Sequence, residues 1–212
     1  RVLRVLERTP PVPGRNLHLN IDVRLQRAAQ DAFGTEHGAL VAIDPSNGAV
    51  LALVSLPSFD PNLFVNGIDS VSYDALANSR DQPLFNRALN GQYPPGSTIK
   101  TIYGLLGLES GEIRHDTQIW DPGYYMLKGD ERRYRDWRKE GHGWVDFNKS
   151  IVESCDTYYY ELALTLGIDR MSDYMRNFGF GRPTGIDLTG ESSGLMPSRD
   201  WKRRVHRQPW FP

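Results

Sequence analysis

Cysteine is almost missing from this chain. A single residue in 212, Cys155, carries a thiol, which excludes an internal disulfide, a zinc ribbon and a CxxC redox pair. A charge excess is missing too: 25 Lys+Arg stand against 26 Asp+Glu, for a formal net charge of -1. The basic surplus that marks most nucleic-acid-binding domains is therefore absent, and no nucleic acid is expected as a partner. Long apolar runs are lacking, since stretches 39–43 and 49–54 are far too short to span a bilayer. No signal-peptide pattern opens the chain, because Arg1-Val2-Leu3-Arg4 runs at once into charge and proline. A targeting segment is expected elsewhere, in a longer protein of which this is a piece. What is present is ordinary for a globular protein: 39% hydrophobic and 24% charged residues, in a length that can bury a real core.

Residues 1–20 carry Pro10, Pro11 and Pro13 and read as an extended lead-in to a domain over 21–212. Asn20-Ile21-Asp22 suggests a short strand ending in an N-cap. Apolar spacing then predicts a helix over 23–33, stopped by Gly34. Two β-rich runs, 38–44 and 48–56, flank Pro45-Ser46-Asn47-Gly48 and predict a hairpin whose Asn-Gly supplies positive φ. A short helix is expected near 72–77 and a longer one over 97–109, apolar nearly all round and hence buried. Segment 114–143 reads as irregular. Helices follow over 148–153, 157–166 and 169–178, the first two flanking Ser154-Cys155-Asp156. The charged runs 128–140 and 199–207 read as solvated faces. The whole suggests α+β (or α/β), with helices packed on an antiparallel sheet.

The chemistry concentrates at Tyr93-Pro94-Pro95-Gly96-Ser97-Thr98-Ile99-Lys100. A serine opening a buried helix with lysine three positions on puts both side chains on one face. Serine needs a base to become a nucleophile, and lysine serves as one only where burial or neighbours keep it partly neutral. The tetrad alone favours the plainer reading, with Ser97 capping a helix while Lys100 points to solvent. A second serine, Ser154, sits 54 residues beyond Lys100 in a short break between helices. There a hydroxyl can relay a proton, with Asp156 holding the loop or a partner ammonium.

These blocks together resemble the class B penicillin-binding proteins, and among them the elongation-specific peptidoglycan D,D-transpeptidases. Residues 93–100 match the family's S-x-x-K block, and Ser154-Cys155-Asp156 matches its second motif in S-x-D form. Phe178-Gly179-Phe180-Gly181, leading into Thr184-Gly185-Ile186-Asp187-Leu188, is similar to the stretch after that motif, as are 22–26, 57–64 and Asp121-Pro122-Gly123. The resemblance implies a penicillin-binding protein/β-lactamase-like transpeptidase fold and an acyl-enzyme on Ser97. Lys100 would take the serine proton, Ser154 would pass one to the leaving nitrogen, and Asp156 would hold the loop. It implies peptidoglycan stem peptides ending in D-Ala-D-Ala as substrates, β-lactams as inhibitors, and no cofactor for the chemistry. By family, the partners are a lipid-linked glycan polymerase and elongation-complex proteins; the anchor is one inner-membrane helix and the catalytic domain is periplasmic.

One element of the pattern is not found. No K-T-G or K-S-G occurs in the chain, so a partial transpeptidase domain, inactive alone, is expected. A β-lactam sensor or a serine β-lactamase shares the first motif, and a non-catalytic scaffold would explain the missing third. The resemblance also implies a structural zinc, one per chain, on Asp121, Asp136, His142 and Cys155. Their gaps of 15, 6 and 13 residues match no general zinc motif, but a metal clip would order a segment too charged to hold itself by apolar burial.

Overall fold

Helix α1 (Val23–Phe33) begins where expected because the Asp22 carboxylate accepts from the Arg24 and Leu25 amides. In the computed structural model, which describes residue 10 and residues 12–210, the lead-in lies partly outside the described residues. Asn20–Asp22 forms no strand; its one ladder-like contact is the Asp22 amide donating to the Leu51 carbonyl at 2.9 Å. The chain divides into two compact units, residues 1–88 and 89–212.

In the first unit, β1 (Gly38–Ile43) and β2 (Val50–Leu56) form the expected antiparallel hairpin, with a register shift between Ala42 and Ile43. Gly48 alone takes positive φ in the connection, and the Asp44 carboxylate supports the turn by accepting from the Ser46 amide and hydroxyl. Ala52 and Val54 point inward from β2. Helix α1 covers the outer edge of that strand. The Gln26 side chain accepts from the Leu53 amide at 2.8 Å and donates to the Leu53 carbonyl at 2.9 Å, pairing the edge as a neighbouring strand would. Helix α2 (Ser70–Ala77) follows, capped by Asp69. A single turn, α3 (Arg87–Asn90), includes the point in the sequence where the first unit ends and the second begins.

The second unit holds the chemistry. Its core is Leu106, Ile113, Val145, Cys155, Tyr158, Tyr159, Leu162 and Leu166. Helix α4 (Lys100–Glu109) packs against helices that follow later in the chain: α5 (Phe147–Val152), α6 (Asp156–Leu166) and α7 (Ile168–Asn177). Two differences from the sequence reading concern α4. Residues Gly96–Ile99 form a 3-10 turn, so the α-helix begins at Lys100, not at Ser97. Nor is the helix buried all round. Lys100, Gly104, Leu106 and Gly107 face inward while Leu105 is 41% exposed, because small residues make the packed face. A Cβ on Gly107 would stand 2.9 Å from Ile113 Cγ1 and 3.1 Å from Leu162 Cδ1.

The segment read as irregular contains three of four short strands. Here β3 (Ile119–Asp121) pairs with β6 (Gly143–Val145), and β4 (Tyr124–Met126) pairs with β5 (Arg133–Arg135), both antiparallel. With the hairpin, the antiparallel pairing expected of one sheet is spread over three two-stranded ladders. The basic run near the end is helix α8 (Arg199–His206), started by Ser198 accepting from the Trp201 amide and with no buried residue.

Candidate active site

Ser97 is exposed on the 3-10 turn, immediately after Gly96 with φ 58°. Its carbonyl accepts from the Lys100 amide. Among the described residues its hydroxyl makes no hydrogen bond to Lys100, although both lie on the same turn. Lys100 itself is buried, and its Nζ donates to the Ser154 carbonyl at 2.7 Å, the Ser154 Oγ at 3.2 Å and the Asp156 Oδ1 at 2.6 Å. Three of the four predicted catalytic side chains thus meet at one ammonium, across 54 and 56 residues of chain. The ion pair with Asp156 is largely shielded from water, so both of its partners are needed to offset desolvation.

Ser154 is a non-glycine residue at φ 52°. That conformation costs roughly 1–3 kcal/mol and persists only where surrounding contacts fix it. Here the Ser154 amide donates to the Ile151 carbonyl at 3.2 Å and the Cys155 amide to the Ser150 carbonyl at 3.1 Å, closing the end of α5. The twist brings both the carbonyl and the hydroxyl of Ser154 to Lys100.

Behind this cluster lies a second one. One ligand atom each from Asp121, Asp136, His142 and Cys155 lie within 4.8 Å of one another, and all four residues are buried. Asp121 Oδ2 sits 2.7 Å from His142 Nδ1, accepts from the His142 amide at 2.9 Å and from Cys155 Sγ at 3.6 Å. Asp136 Oδ1 lies 3.6 Å from His142 Nδ1. Burial pushes the Cys155 thiol up to about 12, and the charges of Asp121 and Asp136 push the same way. Burial also works to raise the Asp121 carboxyl, but hydrogen bonds from Thr157, His142 and Gly123 hold it below the usual range.

Two buried carboxylates set close together beside an imidazole and a thiol repel each other unless a positive charge sits between them. The same set suits a divalent cation that accepts nitrogen, oxygen and sulfur together. The residues therefore fit a metal ion. The backbone is shaped for the same convergence: Gly141 has φ 75°, and a Cβ there would collide with the Asp121 carbonyl. Only glycine lets the loop carrying His142 close on the end of β3.

Thr157, which sequence reasoning did not single out, and a second role of Asp136 tie the clusters together. Thr157 Oγ1 donates to Asp121 Oδ1 at 2.7 Å. Asp136 Oδ2 accepts from the Asp156 amide at 2.7 Å and the Thr157 amide at 3.3 Å. Helix α6 has no side-chain cap of its own; a carboxylate 20 residues away supplies one. Linear spacing carries no signal for such a distant cap.

Comparison with known proteins gives the family. Residues 38–208 match the penicillin binding protein transpeptidase domain. The chain belongs to the penicillin-binding protein transpeptidase family. Within it, the chain is 51% identical over 210 residues to the peptidoglycan D,D-transpeptidase MrdA of Acinetobacter baumannii, covering 99% of this chain and 31% of that protein. Among solved structures of this family it is similar to Pseudomonas aeruginosa PBP2 in complex with WCK 5153, at TM-score 0.90 and 51% identity, over 97% of this chain and 45% of that one. It is also similar to Helicobacter pylori PBP2, solved in complex with MreC, at TM-score 0.85 and 37% identity, over 90% of this chain and 35% of that one. The chain spans about a third of the length of the curated transpeptidases it matches.

Proposed function

We propose that the protein containing this chain is a serine D,D-transpeptidase that cross-links peptidoglycan stem peptides during cell elongation. The observation that carries the reading is the convergence of Ser154 and Asp156 on the Nζ of Lys100, three residues beyond Ser97. Lys100 in its neutral form takes the Ser97 proton as Oγ attacks the penultimate D-Ala carbonyl. The hydroxyl of Ser154 passes a proton to the departing nitrogen, and terminal D-Ala leaves. The amine of a second stem peptide then attacks the acyl-enzyme, forming the cross-link and freeing Ser97. β-Lactams acylate the same serine.

We assign the metal site to zinc, one per chain, held by Asp121, Asp136, His142 and Cys155. The donor set supports this, as zinc accepts thiolate, imidazole and carboxylate in one closed shell. When bound it neutralises the buried anions and fixes the loop bearing Ser154; it takes no part in acyl transfer. The complex of the Helicobacter relative with MreC supports a protein partner, which we take to belong to the elongation complex. No helix of the described residues is long and apolar enough to cross a membrane, and we place the expected inner-membrane anchor elsewhere in the protein, with this domain on the periplasmic side. The test is labelling of the complete protein with a fluorescent penicillin. Labelling is expected at Ser97, lost in Ser97→Ala, and slowed by about 10²–10⁴-fold in Lys100→Arg, which keeps the charge but cannot act as a base. Complete protein that takes no label would remove the reading.

A further inference from the structure

Lys100 has one more neighbour, which the acyl-transfer scheme does not use. The ring of Tyr159 lies beside the ammonium, with Nζ 5.5 Å from the ring centroid, inside the range of about 6 Å over which the ring quadrupole attracts a cation. Tyr159 is buried, and its hydroxyl is 3.3 Å from Ser150 Oγ. Ser150 in turn donates to the Phe147 carbonyl at 2.7 Å, so the ring is held from α5. Tyr159 follows Asp156 by three residues in α6, which puts ring and carboxylate on neighbouring positions of one helix face.

Helix α4 makes room for this arrangement. Gly104 lies one turn after Lys100, and a Cβ there would stand 3.2 Å from the Tyr159 hydroxyl and 2.6 Å from the Phe147 ring. Glycine at 104 lets the helix that carries the lysine close on both aromatic rings.

We propose that Tyr159 is a positioning residue for Lys100, its ring face holding Nζ against Ser154 and Asp156 and favouring the charge that Nζ gains as it takes the proton. The inference rests on the acyl-enzyme reading above. In that step the Ser97 O–H bond breaks as the Oγ–carbon bond forms, and the proton moves to Nζ. The ring neither gives nor takes a proton; it stabilises the charge that Nζ acquires. A space-filling role would be met by any large apolar side chain, whereas this role requires an aromatic face.

The experiment measures penicillin acylation of the complete protein, resolving the initial binding constant from the acylation rate constant. Tyr159→Phe is expected to acylate within about twofold of the parent, and Tyr159→Leu about tenfold slower with binding unchanged. A Leu variant as fast as the parent overturns the proposal. So does a Phe variant as slow as the Leu variant, since the hydroxyl would then be the active part. Truncating a buried ring can unfold a domain, so a second pair keeps the shape. Phenylalanine and pentafluorophenylalanine at position 159 differ mainly in the sign of the ring quadrupole. At the top of the pH–rate profile the fluorinated form is expected to be about fivefold slower; equal rates overturn the proposal. A parent protein that fails to label at Ser97 instead sinks the transpeptidase reading itself, so the two failures are distinguishable.

Discussion

Ser154 offers Lys100 two oxygens, and only one of them belongs to its side chain. The carbonyl bond is the shorter, at 2.7 Å against 3.2 Å for the hydroxyl, and it depends on the backbone holding φ at 52°. The two contributions are separable by substitution. Ser154→Ala and Ser154→Gly both delete the hydroxyl, so both are expected to slow acylation by about 10²-fold or more, the scale of a lost proton relay. They should differ in stability, because glycine adopts the left-handed region freely and alanine does not. The Gly variant is expected to be more stable than the Ala variant by about 1 kcal/mol in thermal or urea unfolding. The reverse order would mean that Ser154 does not hold this conformation. At this scale the sequence was informative where chemistry is written in residue type. Ser97, Lys100, Ser154 and Asp156 stand out through the resemblance to the family's motifs, not through spacing alone, and the last three meet at one ammonium. Tyr159 and Gly104 were invisible, because nothing local distinguishes a tyrosine that faces a lysine from one that fills a core.

Helix α6 begins in the space between the two clusters, and its first turn serves both. Asp156 pairs with Lys100, Thr157 binds Asp121, and the amides of both are capped by Asp136. Thr157 is the member that can be altered without replacing a proposed metal ligand or the proposed catalytic lysine. Thr157→Val keeps its shape and deletes the donor to Asp121 Oδ1. Outer-shell bonds of this kind orient a ligand, and losing one weakens metal affinity by about 10–100-fold. The variant is therefore expected to surrender its metal to a chelator at lower concentration than the parent, while Thr157→Ser behaves as the parent. Unchanged metal retention in the Val variant would show that Asp121 needs no such support. Helices of six or more residues, α8 excepted because it was read only as a charged face, were legible to within a few positions, since caps such as Asp22 and stops such as Gly34 are local chemistry. The ladders β3–β6 and β4–β5 were not legible. Each strand has three residues, too few to show a period of two, and charged side chains such as Arg133 and Arg135 mask any inward face.

The whole molecule carries its two clusters in one unit. All four donors, the lysine and both serines lie between residues 89 and 212, while the β1–β2 hairpin and α1 build a separate small core around Ala29, Ala52 and Val54. The family match over residues 38–208 spans both units, yet the energetics of the metal should not. Removing the proposed ion would leave the carboxylates of Asp121 and Asp136 buried together without the charge proposed to neutralise them, a cost confined to the elements that carry the cluster. Stability in proteins is distributed in such local cooperative units. Chelation is accordingly expected to raise amide hydrogen exchange in β3, β6 and the first turn of α6. Exchange in the hairpin, measured at Ala52 and Val54, should change little. Cys155→Ser, which removes one donor, should reproduce the same pattern without chelator. Equal loosening of the hairpin would mean that the units unfold as one. An unchanged pattern in α6 would mean that no metal holds the loop of the second catalytic motif.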